Sequence, residues 1–309
     1  MTRRPGDGRD PDDPLGSSEQ GLARGLRRSD DLELLIAAEL GTPVDPRVQA
    51  AAAAIAAEHQ GALAMLFYGS CLRTGEIEGQ MLDFYLIVRD YRAAYRHAWM
   101  ATANRLIPPN VFPFERNGVA AKYAVLSEND FDRLTRPEAG TVSVWARFAQ
   151  PVRLVWSAQA DVGAGIARIV AQAPVTLLSL APDVGDVLDR WRRGFELTYG
   201  AELRAERGDR PGSIVDWDPD RYRRLGKAVL PQPLYSEARW RKLRRTGKAM
   251  TLVRLAKASL TFAGGIDYLA WKINRHAGTD IAIQPWQRRW PLLGAVTLLP
   301  RLLRRGAIR

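Results

Sequence analysis

The chain has 309 residues, 46% of them hydrophobic, enough for one large domain or two ordinary ones with a buried core. Its single cysteine, Cys71, excludes a disulfide framework, and its three scattered histidines exclude a Cys/His zinc site, so any metal must rest on carboxylates. Charge is uneven: Arg221 to Arg309 carries 20 Lys or Arg against three acids, a net of +17 in a chain of +11, so a basic third follows an acidic body and seeks a polyanion.

Residues 1–28 are Gly, Pro, Asp, Arg and Ser with little that is apolar, and read as a disordered tail without the apolar core of a secretory signal. No uninterrupted apolar run reaches the roughly 18–20 residues of a membrane span, so a soluble or peripheral protein is expected. Asp30-Asp31 predicts a helix over Leu32–Leu40, and Asp45-Pro46 opens an Ala-rich helix to about Glu58. Ala62–Tyr68 and Met81–Val88 are short, β-rich apolar runs of strand length. A helix over Tyr91–Leu106, a strand at Val119–Leu126, a helix capped by Ser127 and a strand at Val152–Trp156 follow. From Ser157 the pattern turns helical, over 160–172, 182–198, 219–228, 235–245 and 247–262. The expectation is an α/β mixed sheet with flanking helices over 29–156, then a mainly helical domain over 157–284. Residues 285–309 form a basic segment of their own.

The chemistry centres on Tyr68-Gly69-Ser70, directly after a strand, and on Asp83 inside the next one. Glycine lets the backbone approach a triphosphate, and the Ser70 hydroxyl with nearby N–H groups binds its oxygens. A carboxylate on the adjacent strand holds Mg²⁺ between those phosphates. An aspartate in an apolar strand needs a reason, because an unpaired buried carboxylate is costly. This order of strand, Gly-Ser, helix, strand and Asp resembles the nucleotidyltransferase layout and implies a nucleotidyltransferase-type sheet over 29–156. Such enzymes usually place a second acid two residues on, where this chain has Tyr85, with Glu76, Glu78 and Glu202 as alternative sources. Cys71 reads as a bystander, and Tyr68 and Trp271 with Tyr268 are aromatics of the pocket and the core respectively.

The stretch YGSCLRTGEIEGQMLDFYLIV resembles the corresponding part of the mitochondrial-type phosphatidate cytidylyltransferases, also called translocator assembly and maintenance proteins. In that family no second acid follows the aspartate at the next alternate position. Ala121-Lys122-Tyr123-Ala124-Val125-Leu126-Ser127, Ala146-Arg147-Phe148-Ala149-Gln150-Pro151-Val152 and Thr198-Tyr199-Gly200-Ala201-Glu202-Leu203-Arg204 resemble three further family segments in order. Cys71, Ala124 and Glu202 depart from the family, which has Gly, Gly and Asp there. The resemblance implies transfer of CMP from CTP to phosphatidate, giving CDP-diacylglycerol and pyrophosphate with Mg²⁺. It implies Tyr68, Gly69 and Ser70 at the nucleotide phosphates and Asp83 on the metal. Lys122 would neutralise phosphate charge, Arg147 and Arg204 would hold nucleotide or lipid phosphate, and Glu202 would be a supporting acid.

In the basic third, Trp286 and Trp290 interleave with Arg288 and Arg289, and Leu292, Val296, Leu299 and Leu303 share one helical face. That order suits an anionic membrane surface. A nucleotidyltransferase with RNA or a small acceptor, and a non-catalytic nucleotide-binding relative, are the competing readings. No recognised RNA module is present, so nucleic acid is not the expected partner.

Overall fold

The computed structural model describes residues 28–202, 210–261 and 284–285; within these, the side chains of 210–212, 255 and 258–261 are not described. The tail, Arg204, Tyr268, Trp271 and the segment from 286 onward therefore lie outside the described residues.

Helix α1 (28–40) leads into α2 (Pro46–Ala57), where Asp45 accepts the Arg47 N–H at 2.8 Å and Pro46 presets the first helical φ. Strands β1 (Ala62–Tyr68) and β2 (Met81–Val88) fall on the two apolar runs, joined through the short helix α3 (Ser70–Thr74). The single helix expected over 91–106 is divided into α4 (Tyr91–Ala94) and α5 (Ala98–Leu106), because Tyr95 is extended. An unexpected strand, β3 (Asn110–Arg116), pairs antiparallel with β4 (Val119–Ser127). Ser127 then caps α6 (Glu128–Thr135) by accepting the Asp130 N–H at 3.2 Å. After α7 (Trp145–Phe148), β5 (Val152–Ser157) completes a five-stranded sheet of order β3-β4-β2-β1-β5. β2 and β4 are parallel and the other pairs antiparallel, so the sheet is mixed.

The helical part follows as α8 (Val162–Leu180), α9 (Val187–Gly200), α10 (Arg210–Trp217), α11 (Pro219–Ala228) and α12 (Glu237–Thr261). Helix α12 is continuous where two helices were expected. Its Gly247 does not break it; a methyl group there would run into the Ala201 carbonyl, so the glycine permits close helix packing. Helix α8 is the one described helix long and apolar enough to cross a membrane, yet Ile166, Val170, Leu177 and Leu180 are buried in the core.

The period-2 alternation of the strands sorts the core into two faces. Met65, Phe67, Phe84, Leu86 and Val125 pack with α2, α4 and α5. On the opposite face Leu66, Tyr85, Ile87, Ala124 and Leu126 share one cluster with Trp145, Trp191, Tyr222 and Trp240. Sheet and helical part thus bury the same core, each large side chain contributing about 1.5–3 kcal/mol of burial. Glu39 on α1 reinforces the junction: it accepts the Val152 N–H at 3.0 Å and the Arg221 guanidinium at 3.1 Å.

Candidate functional site

The pairing register places three predicted site residues in one row. Tyr68 of β1 lies opposite Asp83 of β2, and Asp83 lies opposite Lys122 of β4. Directly paired residues project from the same face, so the three side chains share the margin of the helix-covered face. Lys122 Nζ stands 3.0 Å from Asp83 Oδ1, with the two side chains 33% and 18% exposed. The pair is therefore shielded yet reachable from solvent.

Gly69 turns the chain at the end of β1 with φ of 96°. A Cβ at that position would lie 2.9 Å from Asp83 Oδ2, so the site needs glycine both for its left-handed backbone and for its missing side chain. The turn delivers Ser70, an exposed residue, to the first position of α3. Cys71, next along, is buried with Sγ 3.6 Å from the Met81 carbonyl. Burial, then the Asp83 charge, pushes its thiol up, which keeps it protonated and unreactive.

Tyr85 occupies the position of the absent second acid and is part of the core. Its ring lies 5.2 Å from Tyr68 and 5.1 Å from Phe148. Burial raises its hydroxyl above the ordinary tyrosine value, so it stays a neutral phenol. Tyr68 is likewise raised well above that value by burial and by Asp83. Of the alternative acids, Glu78 is bound to Arg47 on α2, Glu76 is exposed in the loop before β2, and Glu202 pairs with Arg147 at 3.7 Å. Among the described residues no group of three or more His, Cys, Asp or Glu gathers around a cation position.

Arg147, on α7, donates to the Ser143 carbonyl as well as to the Glu202 pair. Burial acts to lower its pKa, but Glu202, Tyr85, Tyr68 and Asp83 more than offset this and hold the guanidinium above its ordinary value. The structure thus brings together Tyr68, Gly69, Asp83, Lys122, Arg147 and Glu202. Arg204 falls outside the described residues.

One cation was not anticipated. Arg254 of α12 has Tyr85, Glu202 and Arg147 as its electrostatic neighbours, and burial lowers its pKa. With Lys122 and Arg147 it makes three cations against the carboxylates of Asp83 and Glu202, an arrangement that favours an incoming anion. The sequence signal was helical spacing. Trp240, Leu243, Gly247 and Met250 form an inward stripe of alternating three- and four-residue steps, which next lands on Arg254 and Lys257.

In comparison with known proteins, no family model matches the chain and no curated sequence does. Among solved structures the chain is similar to a nucleotidyltransferase-like protein from Exiguobacterium sibiricum, at 11% identity and a TM-score of 0.27, over 84% of this chain and 92% of that one. A likeness at that level says nothing of activity.

Proposed function

We propose that the chain is a nucleotidyltransferase that moves CMP from CTP to phosphatidate at an anionic membrane surface, giving CDP-diacylglycerol and pyrophosphate. The observation that carries the nucleotidyl reading is the Gly69 turn held against Asp83, with Lys122 in register beside it. Gly69 and Ser70 hold the β- and γ-phosphates, Lys122 offsets their charge, and Arg147 faces the phosphate of the acceptor. A phosphate oxygen of the acceptor attacks the α-phosphorus of CTP; the bond from that phosphorus to the bridging oxygen breaks, and pyrophosphate departs with the electron pair. These residues contribute by positioning and by charge placed before the reaction starts. Asp83 fits a magnesium ion that arrives with the triphosphate, because one carboxylate plus substrate oxygens and water suffices for that ion. Bound there, the ion would draw charge from the phosphates. CTP and phosphatidate as the substrates rest on the motif resemblance, and the surface on the basic third.

A second reading has its own observation. Tyr85 stands buried where a second metal-binding acid would be, which favours a protein that binds nucleotide without transferring it. One assay separates the two: purified protein with radiolabelled CTP, Mg²⁺ and phosphatidate in mixed micelles. Lipid-soluble label that disappears in Asp83→Ala supports transfer to the lipid. Tight CTP binding with no label in lipid, RNA or a small alcohol supports the non-catalytic reading.

A further inference from the structure

Helix α12 begins its inward stripe as a core helix. Trp240 is buried and donates to the Leu180 carbonyl at 2.8 Å, and Leu243 is buried one turn on. Gly247 brings the helix against Ala201, next to Glu202. Two turns later, on the same side, the stripe carries Arg254 and Lys257 where apolar residues would continue it. Lys257 is 7% exposed. Its ammonium donates to the Ile107 and Pro109 carbonyls, and Arg254 Nε donates to the Pro108 carbonyl at 2.9 Å. The loop between α5 and β3 thereby pins both side chains. Burial, and then the Arg254 charge, act to lower the Lys257 pKa, so holding these two cations side by side costs stability. Arg254 also has Arg147 as a like-charged neighbour, and both guanidinium groups face the Glu202 carboxylate. A dianion brought to the Arg147 end of the site would balance the further guanidinium charge.

We infer that Arg254, supported by Lys257, forms a second anion subsite beside Arg147, which takes the phosphomonoester of the acceptor while Gly69, Ser70 and Lys122 hold the nucleotide. The assignment rests on the nucleotidyl-transfer reading for the word acceptor. The subsite itself rests on the placement of Arg254 and Lys257 against the 107–109 carbonyls and beside Arg147. A planar guanidinium with fixed donors suits bidentate recognition of such a phosphate. The two halves of the reaction are then gripped by different elements: the nucleotide by β1, β2 and β4, the acceptor by α7 and α12.

Equilibrium binding by the full chain tests this with three probes: Mg·CTP, dihexanoyl phosphatidate and glycerol 3-phosphate. Arg254→Gln keeps an N–H donor for the Pro108 carbonyl while removing the charge, and Arg254→Lys restores the charge without the fork. The expected result for Arg254→Gln is at least tenfold weaker binding of dihexanoyl phosphatidate, CTP affinity within twofold of the parent, and partial recovery in Arg254→Lys. Weaker binding of glycerol 3-phosphate as well marks the phosphomonoester as the group recognised. Loss confined to the lipid probe also supports the subsite and marks its ligand as a lipid. Unchanged affinity for both phosphomonoesters, or an equal loss of CTP affinity, overturns the proposal. Failure of the parent chain to bind CTP sinks the nucleotidyl reading instead, and the phosphomonoester probes still decide the subsite.

Discussion

Gly69 and Asp83 stand so close that one added methyl group at position 69 would meet Asp83 Oδ2 at 2.9 Å. The left-handed backbone at Gly69 and the carboxylate on the neighbouring strand are therefore a single unit. Gly69→Ala carries a backbone penalty of about 1–2 kcal/mol and displaces the Asp83 side chain. The expected outcome is a modest fall in melting temperature together with at least a tenfold loss of Mg·CTP affinity. Calorimetry and nucleotide titration read the two effects separately, and an unchanged nucleotide affinity would contradict the close-approach role.

Lys122 should divide stability from binding. Its pair with Asp83 is partly exposed, and pairs of that kind are worth about 0–1 kcal/mol. Lys122→Met is expected to unfold within about 1 kcal/mol of the parent in urea. Loss of a charge-assisted contact to the triphosphate, about 1.5–3 kcal/mol, should weaken CTP binding by roughly tenfold or more. A variant that loses stability but binds CTP normally would make Lys122 a structural residue of the strand.

Glu39 makes the opposite case. Arg221 is 4% exposed and relies on Glu39 for its carboxylate partner, with the Ala149 carbonyl accepting from its other end at 3.1 Å. Glu39→Ala leaves that guanidinium buried without its counter-charge, for which about 3–5 kcal/mol is expected. Urea denaturation of the variant measures the loss directly. A change below about 1 kcal/mol would show that water reaches Arg221.

Lys257 gives stability a specific pH dependence. Burial, with Arg254 adding to it, pushes its ammonium from 10.5 down to about 7. Between those values the unfolded chain holds more protons than the folded one, so the Lys257 contribution makes stability rise as pH climbs from about 7 towards 10. Below that window the lysine is charged in both states and contributes no slope. Lys257→Met should remove the rise and be the more stable protein near neutral pH, which chemical unfolding at pH 6, 8 and 9.5 would reveal. An identical slope in parent and variant would mean that the buried lysine keeps its ordinary affinity for protons.

Strands β1 and β2 were legible because their apolar runs end at Gly69 and at polar residues, and α2 and α6 because Asp45 and Ser127 are strong caps. Strand β3 was not. Its sequence NVFPFER carries Pro113 in the middle, a residue that an edge strand tolerates and a central one does not. Helix α10 begins in a stretch of Arg, Pro and Gly that reads as a loop. In the site, Asp83 and Lys122 were each identifiable, but their 3.0 Å pairing depends on a parallel register between strands that no local pattern encodes. Arg254 was hidden in composition and showed only in the helical spacing of α12, which an expected break at Gly247 interrupted. Within a strongly basic third, one arginine turned inward has the same composition as its neighbours turned out.

The row Tyr68, Asp83 and Lys122 belongs entirely to the first half of the chain, yet that half is not a separable module. Leu66, Tyr85 and Ala124, one step along the same strands, lie under Trp191, Tyr222 and Trp240. A chain cut after Ser157 would retain most of the residues proposed to hold phosphate while laying bare the surface from which they project. Fragment approaches would then find a sticky sheet in place of a minimal catalyst, and any scheme to transplant this site must carry the helices with it. Gene fission at that junction would need the two pieces to recombine before either could work.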